Sequence, residues 1–416
     1  MSKTIKMAWR NMWRNWRRTL IASIAIILGM VLLIFMDALI AGSDEAIYGN
    51  AVRMYGGNVQ VHAPGYREKS SRLPLLPLAN SETVVATIES IESPEKIMST
   101  SKRINTGGLV SSSAGNYPVT ITAIEPEKEA PVSLFAENIS SGRFLTNDDG
   151  DAIVIGQGLA DLLEVGVGDR VMVVGRRLNE SMRQRPMTVV GIYSLGMDSA
   201  ERGSVFINLP TAQTLYNLRD QETEVVVSLE KVGQEAALIA DLQAQLPEYE
   251  VDSWDTLSPE IQQALQSKAA ATGILGMLVV LIASIGILNL MLMAVYERTR
   301  EMGVLAALGM KGRQITALFL MEGTFIGLFA AVVGVILGGL LVAALAQAGG
   351  IYIGGLTETA GDAEVYALMG DRMYPVFSMS TAIGYALLVV IISAAASFFP
   401  AWQASRKEPA EALHHI

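Results

Sequence analysis

A chain of 416 residues with 51% hydrophobic and 17% charged side chains is too apolar for an ordinary soluble enzyme, yet it retains enough charge for part of it to be soluble. Its net charge of −10 is unevenly laid out, because Lys3, Lys6, Arg10, Arg14, Arg17 and Arg18 precede any acidic residue, so the global balance identifies no partner and no nucleic-acid surface. The absence of cysteine excludes a disulfide framework or thiolate metal site, and three histidines (His62, His414, His415) are too few to suggest a histidine-based metal or catalytic centre.

Residues 1–18 read as a cytoplasmic interfacial helix: Trp9, Trp13 and Trp16 recur at i, i+4 and i+7 and share one face, with the basic residues on the others. The first span follows over 19–42. It is uncharged from Thr19 up to Asp37 and exceeds the roughly twenty apolar residues that a hydrocarbon core of about 30 Å requires. Its apolar run is too long for a signal peptide, and no small-residue cleavage site follows it closely. No proline occurs from Thr19 to Ala63, so the helix is expected to continue beyond the membrane as a stalk.

Residues 43–267 read as an α+β insert outside the cytoplasm, with short alternating strands separated by Gly, Pro and Asn turns. Strands are predicted at 58–62, 119–123, 152–156, 170–174, 187–193, 205–209 and 225–229, with helices at 159–163 and 211–218. They divide into an α/β subdomain of about 50–130 plus 216–256 and a β-rich subdomain of about 131–215. Asp148, Asp149 and Asp151 form an acidic cluster in a glycine turn; lacking the spacing of a calcium loop, they read as solvated.

Ser258 as N-cap and Pro259 at the first helical position open a helix with no breaker until Gly273. Running to Val295 it would be about 55 Å long, a second stalk that contains span two at 268–296. A cytoplasmic loop at 297–313, span three at 314–348, an outer loop at 349–374, span four at 375–402 and a tail at 403–416 complete the chain. Glu322 lies about 14 Å along the third helix from Arg313, shallow enough to snorkel or pair with a neighbour, and the spaced glycines of that span read as packing notches. Lys and Arg concentrate on the cytoplasmic side of short loops. The N-terminus, the 297–313 loop (Arg298, Arg300, Lys311, Arg313) and the tail (Arg406, Lys407) are basic, whereas the outer loop holds Glu358, Asp362, Glu364 and Asp371 against Arg372. Both termini are therefore expected inside. The expected fold is a membrane protein: a four-helix transmembrane bundle with stalk-like first and second spans, and an α+β extracytoplasmic domain of two subdomains inserted between them.

Between spans two and three stands Glu297-Arg298-Thr299-Arg300-Glu301-Met302-Gly303-Val304-Leu305-Ala306-Ala307-Leu308-Gly309. A helix over 298–308 puts Met302, Leu305 and Leu308 near one side and ends on Gly309 as a C-cap. The string resembles the coupling loop of the MacB/LolC/FtsX class (type VII) of ABC transporter permeases. Residues 400–413 are similar to the closing motif of that class, and Glu322-Gly323 with Gly327, Gly334 and Gly338 resembles its third span. The two-part insert, the acidic 349–374 loop and the segments 191–198 and 205–209 are most similar to the LolC/LolE lipoprotein-releasing permeases.

The resemblance implies a permease subunit in the bacterial inner membrane that couples ATP hydrolysis by a separate LolD-like ATPase subunit to a periplasmic conformational change, extracting lipoproteins for outer-membrane targeting. ATP and Mg would sit on that partner, because the chain has no Gly-Lys dipeptide and hence no Walker A phosphate loop; it is not itself an enzyme, and no metal or other cofactor is expected in it. Coupling falls to Glu297, Arg298, Thr299, Arg300, Glu301, Met302, Gly303, Leu305, Leu308 and Gly309. A second permease chain, the same or related, is expected, together with membrane lipids and a periplasmic carrier or adaptor. Cargo acyl chains are expected against Leu33, Ile34, Met36, Ile274, Met277 and Leu278. The stretch 175–186, with Arg176, Arg177, Arg183 and Arg185, is short where LolC extends a hook to its carrier, and reads either as a solvated loop or as a carrier or lipid-headgroup contact. MacB carries its ATPase ahead of the first span, where eighteen residues stand here, so a true MacB is not expected. Two further readings remain: a MacB-like mechanotransmission or efflux permease for drugs, peptides or lipids, and an FtsX-like transducer that activates a cell-wall hydrolase.

Overall fold

The computed structural model describes residues 7, 8, 10, 14, 16–91, 96–177, 181–218, 220–257, 259–296, 304–354 and 367–404. The chain forms two compact units: Met1–Ser43, Ser267–Tyr352 and Arg372–Ile416 make a bundle unit, and Asp44–Gln266 with Ile353–Asp371 make a sheet unit. In chain order the main elements begin with α1 (Trp16–Tyr55), β1 (Val59–His62), α2 (Ser81–Ser90), β2 (Ile97–Ser111), β3 (Asn116–Ile124), β4 (Ile139–Gly142), β5 (Ala152–Gly156), α3 (Gln157–Leu163), β6 (Arg170–Arg176) and β7 (Met182–Tyr193). They continue with α4 (Asp198–Gly203), β8 (Ser204–Asn208), α5 (Leu209–Tyr216), β9 (Glu224–Leu229), α6 (Glu235–Gln245), β10 (Glu250–Ser253), α7 (Pro259–Tyr296), α8 (Gly312–Gln347), β11 (Ile351–Tyr352), β12 (Arg372–Met373) and α9 (Met379–Ala404).

Among the described residues, α1, α7, α8 and α9 are long and apolar enough to cross a membrane. Each satisfies its own backbone donors and acceptors, the condition for a segment in hydrocarbon. α7 runs unbroken from Pro259 over 38 residues, as its N-terminal proline predicts; Ser258 lies outside the described residues, as do Trp9 and Trp13. Trp16 opens α1 and is exposed.

One apolar core joins three of these helices: Ile26, Met30 and Ile34 of α1, Ile326 and Ala330 of α8, and Val389 and Ala396 of α9. Glycines on α8 let the backbones approach. A Cβ at Gly327 would stand 2.7 Å from Ser393 Cβ of α9, and one at Gly334 would stand 2.6 Å from Met30 Cγ of α1. Gly323 and Gly338 repeat the pattern against Ser397 and Ile34, so α8 offers its first two glycines to α9 and its last two to α1. Glu322, beside Gly323, is buried in this packing rather than reaching solvent. Near the other end, Tyr385 of α9 donates a hydrogen bond to Asp37 of α1 at 3.1 Å, so the acidic residue that closes the apolar run of the first span has a partner. Along 266–286 no described side chain of α7 is buried.

The sheet unit is built on ten strands in the order β10-β1-β9-β2-β3-β8-β5-β7-β4, with β6 pairing β2 and β7. Three cores lie along it, the third made by Ile124 of β3, Val154 of β5, Tyr193 of β7 and Phe206 of β8 with Phe135. Val59 and Val61 of β1, Val225 and Val227 of β9, and Val84 and Ile88 of α2 belong to the first. Ile104 of β2, Ile121 of β3, Ile153 and Ile155 of β5, Leu159 of α3 and Leu215 of α5 belong to the second.

The sequence boundary at residue 131 does not coincide with the change of core. β2 is 15 residues long; Ile97–Arg103 pair with β9 in the first region, whereas Ile104–Ser111 pair with β3 in the second. β3 therefore packs with the β-rich part, although it precedes residue 131. Gly107-Gly108 lies inside this strand, where a Cβ at Gly108 would come within 2.3 Å of Ile121 Cδ1 and 2.9 Å of Val174 O. In the 349–374 segment, β11 and β12 pair antiparallel, and Asn50 Nδ2 donates to Leu368 O at 2.8 Å within the sheet unit; Glu358, Asp362 and Glu364 lie outside the described residues.

Replacing Gly327 or Gly334 with Leu should lower the thermal stability of the detergent-solubilised chain by an amount corresponding to about 1–3 kcal/mol, the usual cost of overpacking. Gly276→Ala on α7, where a Cβ meets nothing within 4 Å, should leave it unchanged. Equal melting temperatures for all three variants and the wild type would remove the notch interpretation.

Candidate functional site

Of the coupling residues expected from sequence, Glu297, Arg298, Thr299, Arg300, Glu301, Met302 and Gly303 lie outside the described residues. Residues 304–307 are helical and Leu308-Gly309 form a turn. Gly309 has φ +91°, its N–H donates to Ala306 O at 3.0 Å, and Met310 N–H donates to Leu305 O at 3.1 Å. That pair of bonds is a Schellman termination, which only a residue tolerant of positive φ closes cheaply. Gln314 Oε1 then accepts from Lys311 N–H at 3.0 Å and helps start α8.

The termination sorts the side chains. Leu305, Ala306 and Met310 pack against Ile315 and Phe319 of α8 and Ala401 of α9, while Leu308 is 77% exposed. Sequence reasoning put Leu305 and Leu308 on one docking face; the structure places Leu305 inward and leaves Leu308 outward. It missed Met310 and its socket, although the apolar contact between the residue after the capping glycine and the last helical turn accompanies such caps.

The six expected cavity residues do not share an exposed surface. Leu33 and Ile34 are buried, and Ile34 fills the notch left by Gly338. Met36 is half-buried, whereas Ile274, Met277 and Leu278 of α7 are exposed. In the bundle unit Lys268 Nζ donates to Ser43 Oγ at 2.9 Å.

The basic stretch 175–186 is mostly strand. The β6–β7 ladder reaches Arg176↔Met182, and Arg177 N–H bonds to Ser181 O at 2.9 Å, so only 177–181 join the strands. Arg185 is ion-paired to Asp151, and Arg177 Nε donates to Leu215 O at 3.3 Å; Arg176 and Arg183 are exposed. The acidic turn is likewise organised rather than merely solvated. Asp149 takes both outer nitrogens of Arg143 at 2.6 Å and the Thr146 N–H at 2.8 Å. The Arg143 bond is the main cause that lowers the Asp149 carboxyl to about 2. Among the described residues no group of three or more His, Asp or Glu could hold a metal ion.

A buried ionic layer crosses β1, β9 and β2. Arg103 Nε donates to Glu129 Oε1 at 2.6 Å, and Ser101 also bonds Glu129. Glu224 faces Arg103 on one side and His62 on the other in the strand register. His62 stacks on Tyr66 with centroids 3.7 Å apart, and its Nδ1 is 3.9 Å from Glu224 Oε2. Burial is the main cause of both large shifts, raising the Glu224 carboxyl to about 7 and lowering the His62 imidazole to about 4. Arg103 opposes the Glu224 shift and Glu129 adds to it. Its charged groups are buried against one another within the sheet, and a structural role accounts for the layer.

Residues 273–409 match the family described as FtsX-like permease C-terminal, and residues 19–245 match the MacB-like periplasmic core domain. The lipoprotein-releasing system transmembrane protein LolC of Xylella fastidiosa is 26% identical over 310 residues, covering 72% of this chain and 74% of that protein. LolC of Neisseria meningitidis is 23% identical over 95% of this chain and 94% of its own. The macrolide export ATP-binding/permease protein MacB of Hyphomonas neptunium is 26% identical over 99% of this chain but 61% of that protein. Among solved structures, the periplasmic region of MacB from Actinobacillus actinomycetemcomitans aligns with 50% of the chain at 15% identity and a TM-score of 0.34.

The buried layer generates a pH dependence. Glu224, raised from 4.5 to about 7, contributes stability that is complete below pH 4.5 and lost as pH rises through 7. His62, lowered from 6.5 to about 4, contributes stability that is complete above pH 6.5 and lost as pH falls through 4. Glu224→Gln should therefore stabilise the full chain more at pH 8 than at pH 5, by about 1–3 kcal/mol on the scale of 1.4 kcal/mol per pKa unit. Thermal unfolding in detergent at the two pH values measures this; parallel profiles for variant and wild type would show that Glu224 is ionised without cost.

Proposed function

The chain belongs to the family of FtsX-like permeases with a MacB-like periplasmic core domain, and we propose that it is the permease subunit of an ATP-driven transporter that extracts lipoproteins from the inner membrane. It is an ABC permease of the MacB/LolC/FtsX type. The observation that carries the finer reading is one of extent: two proteins named for lipoprotein release align over 72–95% of this chain and 74–94% of their own lengths. Extraction needs an energy source, since acyl chains resist leaving a bilayer by about 0.8 kcal/mol per CH₂.

In this reading both termini are cytoplasmic, the sheet unit is periplasmic, and α1 and α7 serve as stalks. The inclusion of Asp44–Gln266 and Ile353–Asp371 in one compact unit supports placing the insert and the loop between α8 and α9 on the same side. Basic residues at the other loops supply the orientation. A separate ATPase subunit carrying ATP and Mg docks on the coupling segment, with Leu308 as the apolar contact and Leu305 and Met310 as its anchor to α8 and α9. Cargo acyl chains run along the exposed side of α7 at Ile274, Met277 and Leu278. The same unburied helix is the surface on which a second permease chain closes the path. A carrier contact would involve Arg176 and Arg183, the exposed arginines of the hairpin.

One observation favours the mechanotransmission alternative. The β6–β7 connection spans only 177–181, too short for an extended carrier hook, and the Hyphomonas MacB aligns with 99% of the chain. In that case the complex would work with a periplasmic adaptor on drugs, peptides or lipids. Identifying lipids and proteins that co-purify with the native complex distinguishes the two: triacylated lipoproteins support release, and an adaptor with no lipoprotein supports efflux.

The coupling geometry separates two substitutions. Leu308→Asp should abolish association with the ATPase while leaving the melting temperature of the permease unchanged, because the residue is exposed. Leu305→Asp should lower that temperature, since it places a carboxylate against Ile315 and Phe319 at a cost of several kcal/mol. Co-purification and thermal unfolding read the two effects, and Leu308→Asp retaining both the ATPase and transport at the wild-type rate would sink the proposed coupling surface. The purified chain alone should show no vanadate-sensitive hydrolysis.

A further inference from the structure

One face of the sheet unit is only partly filled by apolar side chains: Phe135 and Phe206 pack there, and beside them a partly polar cavity remains. Side chains alternate along strands, so Ile104 and Ile121 enter the second core while Arg103, Asn105, Thr120 and Thr122 turn to the opposite side. There they line a cavity of about 380 Å³, at the lower end of the roughly 300–1,000 Å³ typical of small-molecule sites. Tyr66, Ser70, Ser199 and Gly203 contribute to its walls with the apolar Phe135 and Phe206, together with Arg53 near the end of α1.

The wall has a definite polarity. Arg103 is more than nine-tenths buried, and Glu129 holds its Nε and Nη2, which leaves Nη1. That nitrogen occupies the space where Gly56 lacks a side chain, since a Cβ there would lie 2.0 Å away. Arg53 is held in a similar way, Nε on Val132 O at 3.3 Å and Nη2 on Glu137. Two guanidinium groups, each already paired with a carboxylate, are thus fixed by one edge at a single cavity, and their remaining N–H groups can donate to an oxyanion. Asn105 Oδ1 is buried without a hydrogen-bond partner, and a buried acceptor left empty is rare in native folds. It can accept from water or from a ligand hydroxyl in the cavity. Hydroxyls of Thr120, Thr122 and Ser204 offer further polar contacts.

We propose that this cavity binds a phosphorylated polyol, whose oxyanion meets Arg53 and Arg103 and whose hydroxyl donates to Asn105 Oδ1. Free glycerol phosphate and the headgroup of an anionic glycerophospholipid present the same chemistry. The proposal is independent of the cargo assigned above, because it rests on the residues of this cavity alone.

Calorimetric titration of the full chain in detergent with sn-glycerol 3-phosphate tests the soluble source, and thermal shifts in phosphatidylglycerol versus phosphatidylcholine nanodiscs test the lipid source. Saturable binding in either arm is expected, with glycerol at least tenfold weaker than its phosphate. Asn105→Asp should weaken binding at least tenfold by setting a carboxylate against the anion, with the unliganded melting temperature as the control for folding. Should that variant misfold, Thr122→Val removes one hydroxyl at constant shape and should weaken binding severalfold. A response in one arm only assigns the source. No saturable response in either arm, glycerol binding as tightly as its phosphate, or wild-type affinity in a folded Asn105→Asp would overturn the proposal.

Discussion

Close approach of helix backbones at the α8 glycines is the constraint on which the bundle depends. Hydrocarbon gives helices no hydrophobic reason to associate, so contact must come from van der Waals fit. α8 provides that fit twice, to Ser393 and Ser397 of α9 through Gly323 and Gly327, and to Met30 and Ile34 of α1 through Gly334 and Gly338. Larger side chains at these positions would separate the helices and remove both contacts. The burial of Glu322 and the Tyr385–Asp37 hydrogen bond are consequences, because only a closely packed bundle can surround polar groups with partners. Among the described residues α7 contributes none to the shared core, which makes it a helix open to lipid, cargo or another chain.

The sheet unit is governed in a comparable way by β2. A strand that changes partner at Arg103/Ile104 links two cores covalently and through one ladder, so neither can rotate on the other without breaking main-chain hydrogen bonds. The same strand carries Arg103 and Asn105, and its alternation fixes which face is apolar and which is polar. Burying the polar face carries a cost, offset in part by the Arg103–Glu129 pair and the Ser101 bond. The raised carboxyl of Glu224 is the residue of that cost, since a third charge in the layer has no guanidinium of its own.

Features set by local chemistry were legible in the sequence. Apolar runs revealed the spans, Pro259 the start of α7, and Gly309 the end of the coupling helix, while the Ala152–Gly156 strand was read at the bounds the structure shows. Features set by partners were not. β7 begins at Met182 rather than Met187 because Pro186 sits where the strand pairs only with β6, and a missing donor is tolerated at an edge. Ile34 was expected at a cavity, but the notch across from it lies some three hundred residues later in the chain.

The coupling segment shows where such reasoning reaches its limit, and what the structure adds. Helical spacing puts residues i and i+3 near one another, which grouped Leu305 with Leu308, but the Schellman turn at Gly309 ends the helix between their environments. Leu308 already belongs to the turn and faces outward; Leu305 remains in the last helical turn and faces Ile315, Phe319 and Ala401. Under the proposed coupling, a load applied at Leu308 would pass first into the start of α8 and the end of α9, through the packing of Leu305 and Met310, and not only into α7 through the backbone. If the bundle responds as a body, α8 is the element that distributes the displacement, because its opposite half holds α1 through Gly334 and Gly338. The glycines that pack the helices would then also be the path of transmission, and a variant that loosens them should uncouple hydrolysis from transport before it prevents membrane insertion.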